Sequence, residues 1–197
     1  MADEAIDTAA ESGARRIRAD ARRNVDALLE AAKTVFVTSG VDAPAREIAD
    51  RAGVGVGTLY RHFPQRSDLV QAVFRREVDA CADAGPALAD VHEPAAALAA
   101  WLHRYTEFLA TKRGLAGALH SGDPAFESLP GYFMQRLGPT LGALLDAAAA
   151  TGEVRKDVTP KDLLYAVAAL CVPTDDEGLT YSRRMVTLLI DGLHYTE

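Results

Sequence analysis

The sequence predicts an all-α fold in two lobes, and three observations carry that expectation. Apolar residues recur at spacings of three and four along most of the 197 residues, the pattern that lines one face of a helix. Alanine, the strongest helix former, fills many of the positions between them. Residues 43–66 add a compact pattern of their own: Ala-Pro-Ala-Arg-Glu-Ile-Ala-Asp-Arg-Ala-Gly-Val-Gly-Val-Gly-Thr-Leu-Tyr-Arg-His-Phe-Pro-Gln-Arg. It reads as two short helices joined by a tight turn, a helix-turn-helix, which presents its second helix to the major groove of DNA.

Taken in order, residues 1–14 are acidic, small and without period, so they are expected to be disordered. Arg15, Arg16 and Arg18 follow, which makes residues 1–21 an acidic segment and then a basic arm. Such an arm either meets phosphates and the minor groove or is simply solvated. From Arg23 to Ser39, Val25, Leu28, Leu29, Ala32 and Phe36 keep helical spacing, and Gly40 closes this bracing helix. Pro44 suits the first turn of the next helix, whose apolar face is Ile48, Ala49 and Ala52. Gly53 stands where a left-handed backbone ends a helix, and Val54 can fold back against it. The second helix starts at Gly55, turns Leu59 and Phe63 inward, leaves Thr58, Tyr60, Arg61 and His62 outward, and stops at Pro64.

The run Ile48-Ala49-x-x-Ala52-Gly53-Val54-x-x-Gly57-Thr58-Leu59-Tyr60-x-His62-Phe63, with Arg66 and Leu69 after it, resembles the signature of the tetracycline-repressor (TetR) family of bacterial transcriptional regulators. The resemblance covers roughly residues 22–75. Two positions depart from it: Gly55 stands where Ser is frequent and supplies no capping oxygen, and Arg66 stands where Lys is frequent. It implies a DNA-binding domain over residues 22–66. Tyr60 and His62 resemble the family's phosphate-contacting pair, and Arg46 and Arg66 add charge at either end. Gly57 lets backbone approach the duplex, while Thr58 and Arg61 have the chemistry to reach base edges, Arg toward guanine and the Thr methyl toward thymine.

Ser67 and Asp68 suit a helix start, so residues 67–84 read as a connecting helix that Gly85-Pro86 breaks. The second lobe, residues 85–197, then opens with a linker to Pro94. Leu98, Trp101, Leu102, Tyr105, Phe108 and Leu109 follow on one broad helical face. Residues 112–128 read as loop around a short helix at 115–119; Pro130 opens a long helix to Ala150, with a kink expected at Gly138-Pro139. Thr159-Pro160-Lys161-Asp162 is a capping signature for a helix through Cys171. After an acidic loop, 173–178, a last helix closes the chain.

The resemblance implies that these last two helices form a two-fold dimer interface, with Leu163, Val167, Tyr181, Met185, Leu188, Leu189 and Gly192 as its candidate residues. The alternative is that they belong to the subunit's own core. It also implies a small-molecule cavity in this ligand-binding and dimerisation lobe. Trp101, His103, Tyr105, Phe108, His120 and Phe133 are its candidate lining, although a stripe of aromatics equally fits plain core packing.

Net charge is −7, yet it is unevenly distributed. Residues 15–76 hold 12 Lys and Arg against 7 Asp and Glu, whereas residues 77–197 hold 9 against 17. A basic lobe beside an acidic one fits a protein that docks on nucleic acid through one lobe only. Cys81 and Cys171 are far apart and form no C-x-x-C pair, so no disulfide, zinc site or other metal is expected. With no signal peptide and no long apolar run, the protein is expected to be cytoplasmic and not membrane-bound. No catalytic motif accompanies His120-Ser121-Gly122-Asp123, so an enzyme is the remote alternative and no cofactor is expected. The expected function is sequence-specific regulation of transcription. It takes the form of a homodimeric repressor on a palindromic double-stranded operator, released by a small-molecule effector. The alternatives are an activator, or a regulator that needs a corepressor.

Overall fold

The structure, a computed structural model, describes residues 2–171 and 178–194, with side chains from residue 19 onward. The described residues are helical throughout apart from turns, a 3-10 turn at Pro124–Phe126 and one isolated antiparallel bridge between Val154 and His194. The chain divides into two compact units, 1–73 and 74–197.

The first unit holds α1 (Ala2–Ser39), α2 (Ala45–Ala52), α3 (Val56–His62) and the start of α4 (Arg66–Ala89). Its core gathers Leu28, Ala32, Val35 and Phe36 of α1, Ile48 and Ala49 of α2, Leu59 of α3, and Leu69 and Val70 of α4, all buried. The expected inward faces therefore meet each other. The backbone of α1 reaches back to Ala2, where disorder was expected over residues 1–14; the alanine and glutamate content of that stretch favours helix more than its lack of an apolar face suggests. The side chains of Arg15, Arg16 and Arg18 lie outside the described residues.

Two helix starts differ from expectation by a residue or two. Pro44 is the N-cap of α2, with φ −58° and ψ 136°, rather than a first-turn residue. In α4 the start lies at Arg66, and Asp68 accepts from the backbone N–H of Gln65 at 2.9 Å, so Ser67 is inside the helix rather than capping it.

The second unit contains the rest of α4, then α5 (Pro94–Gly114), α6 (Ala116–Leu119), α7 (Leu129–Ala150), α8 (Pro160–Leu170) and α9 (Gly178–Asp191). The break expected at Gly85-Pro86 does not occur, and α4 runs on to Ala89. Packing overrides the local signal here. Gly85 is buried, and a Cβ at that position would stand 2.3 Å from Thr140 Cγ2 of α7, so the glycine admits a close helix contact. Pro86 lies on the exposed side. α7 likewise remains one helix through Pro139. α8 begins with the expected capping box: Thr159 accepts from the N–H of Asp162 and Asp162 from the N–H of Thr159. The acidic loop expected at 173–178 lies outside the described residues apart from Gly178, which begins α9.

α5 is the axis of this unit, with Leu98, Trp101, Leu102, Tyr105, Phe108 and Leu109 all buried. Trp101 stacks on Tyr105 at 5.7 Å and Tyr105 on Phe108 at 6.0 Å, and the Trp101 indole N–H donates to the Cys81 carbonyl at 2.8 Å. Cys81 and Cys171 are both buried and free. Burial pushes the Cys81 thiol up to about 12, which leaves it inert.

Candidate functional site

The helix-turn-helix is built by local backbone chemistry. α2 ends at Gly53, which takes φ 70° and ψ 27°; its N–H reaches the Asp50 carbonyl at 3.2 Å and that of Val54 the Ala49 carbonyl at 3.0 Å. These two bonds close a Schellman turn and satisfy carbonyls the helix end would otherwise orphan. Gly55, extended at φ −70° and ψ 145°, is the N-cap of α3, and no side chain caps that helix.

α3 is fastened by two side chains, Leu59 and Phe63, buried to 3% and 8% exposure. Everything else on it faces outward or half outward. Tyr60 is 53% exposed, Arg61 is exposed, and Thr58 and His62 are half-buried. No hydrogen bond or ion pair holds Arg61 among the described residues. The His62 ring lies 6.4 Å from that of Phe63.

Gly57 is the informative glycine of α3. It is exposed, its φ is ordinary for a helix, and a Cβ added there would meet nothing within 4 Å. Nothing inside the protein calls for glycine at this position, although glycine weakens a helix by about 0.5–1 kcal/mol relative to alanine.

The two flanking arginines differ. Arg46 is exposed on α2, with only a loose ion pair to Asp50 at 3.8 Å, and remains available for an external anion. Arg66, also expected to contact DNA, is turned inward: its guanidinium donates to the Ala43 carbonyl at 2.5 Å and lies over the Phe36 ring at 5.8 Å. A guanidinium so engaged joins the α2 start to α1 and α4. Its planar fork makes both contacts at once, which the ammonium of a lysine would not.

The second unit contains a cavity of about 280 Å³ lined by Phe74, Lys112, Phe126, Phe133, Met134 and Leu164, among others. Of the six expected lining residues, Tyr105, His120 and Phe133 border it. Trp101 and Phe108 do not, because both are fully enclosed in the core behind Tyr105. His103 does not either; its half-buried ring has a lowered pKa, first through burial and then through Arg183. The Tyr105 hydroxyl donates to the Leu164 carbonyl at 3.2 Å, and burial pushes its phenol well up. Sequence reasoning missed Lys112. The signal was present: it falls seven residues after Tyr105 and four after Phe108, on the same apolar stripe, just past the expected helix end.

The expected interface residues divide in two. Leu163 and Val167 are buried in the unit's own core at 2% and 0% exposure, so they leave no surface for a partner. Of the others, Leu188 of α9 is 60% exposed and Gly192, just past the end of that helix, is exposed, whereas Tyr181, Met185 and Leu189 are half-buried beside its buried Ser182, Val186 and Ile190. Among the described residues no group of three or more His, Cys, Asp or Glu could hold a metal, and no helix is long and apolar enough to cross a membrane.

Comparison with known proteins agrees with both units. Residues 28–73 match the profile described as bacterial regulatory proteins, tetR family, and residues 93–195 that of the transcriptional regulator SbtR-like C-terminal domain. An HTH-type transcriptional regulator of Staphylococcus aureus is 41% identical over 64 residues, which is 32% of this chain and 35% of that protein. The shared stretch is thus about a third of either. A TetR transcriptional regulator of Streptomyces coelicolor is 37% identical with a TM-score of 0.73, over 88% of this chain and 99% of that one. A TetR transcription regulatory protein of Mycobacterium vanbaalenii is 36% identical with a TM-score of 0.70, over 91% and 99%. With a C-terminal profile spanning half the sequence and two solved relatives matched along nearly their whole lengths, the chain belongs to the TetR family of bacterial transcriptional regulators.

Proposed function

We propose that this protein is a sequence-specific DNA-binding repressor, a cytoplasmic homodimer on a palindromic operator that a small molecule in the C-terminal cavity releases. The observation that carries the DNA-binding part is Gly57. A residue that weakens its helix and meets no neighbour is accounted for when another surface comes against the backbone there. Around it Thr58, Tyr60, Arg61 and His62 supply hydroxyls, a free guanidinium and an imidazole on one short helix. Tyr60, His62 and Arg46 then hold phosphates and position the protein, whereas Arg61 and Thr58 read bases. The exposed Leu188 and Gly192, with the half-buried Tyr181, Met185 and Leu189 beside them, support a two-fold partner, and two-fold symmetry in the protein calls for a palindrome in the DNA. Repression and release rest on the habit of the family.

Selection of genomic fragments by the purified protein tests the proposal first. An enriched palindrome is the expected result; fragments retained no better than random sequence would remove the sequence-specific reading. On the selected site, Arg61→Ala is expected to lose about 1–3 kcal/mol of discrimination at one base pair. Tyr60→Phe and His62→Ala are expected to weaken binding alike on the site and on a scrambled duplex. Unchanged base preference after Arg61→Ala would end its assignment as a base reader.

A further inference from the structure

We infer that the cavity of the C-terminal unit is built for a small organic monoacid, one aromatic ring or a short alkyl chain bearing a single carboxylate, with the Lys112 ammonium as its anchor. This rests on the reading of the cavity as the effector site and names the chemistry that site would take.

The walls are almost wholly apolar, with Phe74, Phe126, Phe133, Met134 and Leu164 among them, and among the described residues no aspartate or glutamate borders the space. Among the described residues Lys112 is the one Lys or Arg on the lining. Its ammonium lies 5.8 Å over the Phe133 ring, and among the described residues that aromatic face is its only partner. Several other cations of the unit are engaged away from the cavity, although Lys161 likewise lies over an aromatic ring, that of Tyr165. Arg104, Arg136, Arg155 and Arg183 are each paired with a carboxylate, and neighbouring Arg113 donates to the Cys171 carbonyl at 2.5 Å. Among the described residues, Lys112 is the Lys or Arg that brings a positive charge to this apolar cavity, and no carboxylate lines it. Burial lowers its pKa, as expected where the charged form has lost water and gained no counter-ion. A ligand carboxylate against that ammonium would complete the pair, and the apolar walls would take the rest of the molecule.

Charge and size narrow the class. The His120 Nδ1 sits 2.9 Å from the Ala116 carbonyl, so in the neutral ring Nδ1 carries the hydrogen and Nε2 is an acceptor. With Lys112 as the one Lys or Arg among the described lining residues, the cavity suits a monoanion rather than a phosphate ester. About 280 Å³ lies just below the range of about 300–1,000 Å³ common for ligand pockets, which suits a small molecule.

The test is calorimetric titration of the full chain with phenylacetic, phenylbutyric and octanoic acids, each beside its primary amide, which keeps the shape and removes the charge. At least one acid is expected to bind roughly tenfold or more tightly than its amide. Lys112→Met should bring the pair to parity and Lys112→Arg should retain the preference, with circular dichroism checking the fold. Equal binding of acids and amides to the wild-type protein, or a preference that survives Lys112→Met, overturns the anchor. The wild-type ratio decides even if a variant fails to fold. Indole, a neutral probe, separates the two levels. Indole bound in the wild type and lost in Ala168→Trp, with no acid bound, overturns the acid proposal and leaves an effector cavity. Neither indole nor any acid bound overturns both.

Discussion

Helices α3 and α5 divide the work of the molecule between display and enclosure. α3 has seven residues and buries only Leu59, with Phe63 closing its end. α5 has 21 residues and buries a continuous stripe from Ala97 to Thr111. Glycine at position 57 leaves α3 weaker than it needs to be, whereas α5 is surrounded by interlocking rings. A helix that must meet an external surface keeps few internal obligations, and a helix that supports a cavity has many. Substitutions in the two should therefore separate stability from binding.

The largest effect is expected at Phe108, which is 1% exposed and packs against the rings of Phe74, Tyr105 and Phe133 at about 6 Å. Phe108→Ala should cost about 3–5 kcal/mol in denaturant unfolding of the C-terminal unit. A loss below about 1 kcal/mol would mean that the stripe yields easily, and the contrast with α3 would collapse.

Arg66→Ala comes next, at about 1–3 kcal/mol, because it leaves the Ala43 carbonyl without its donor and removes the cation over Phe36. Unfolding of the first unit would show this loss in the absence of DNA. If stability is unchanged and only DNA affinity falls, Arg66 belongs with the display surface after all.

The smallest effect is the most telling. Gly57→Ala should stabilise the protein by about 0.5–1 kcal/mol, since the methyl meets open space, yet weaken operator binding. A variant that is more stable and binds equally well would mean that no duplex approaches the backbone at this point.

The sequence was most legible where structure depends on neighbours a few residues apart. The left-handed Gly53, the Val54 return, the inward pair Leu59 and Phe63, and the capping box of Thr159 and Asp162 are all set by contacts within one or two turns. Gly85-Pro86 misled because its local meaning, a break, yields to a contact with Thr140, more than fifty residues away in the chain. Arg66 shows a related limit: its charge suggests an anion, while its partners Ala43 and Phe36 come together only in the folded unit. The aromatic stripe was found, yet periodicity carries no mark that separates Tyr105, which borders a cavity, from Trp101 one turn earlier, which does not. Leu163 and Val167 show the same limit, since an apolar helix face reads alike whether it packs inward or against a partner.

The enclosure of Trp101 makes it a natural optical probe. It is the only tryptophan, fully shielded from water, tethered through its N–H to the Cys81 carbonyl and stacked on Tyr105, whose other edge borders the cavity. Its emission should sit at the short wavelengths of a dry indole and shift to red only when the C-terminal unit opens. A ligand seated against Tyr105 would change the intensity without that shift. One fluorescence channel thus distinguishes a filled cavity from an unfolded core, with no dye or label attached.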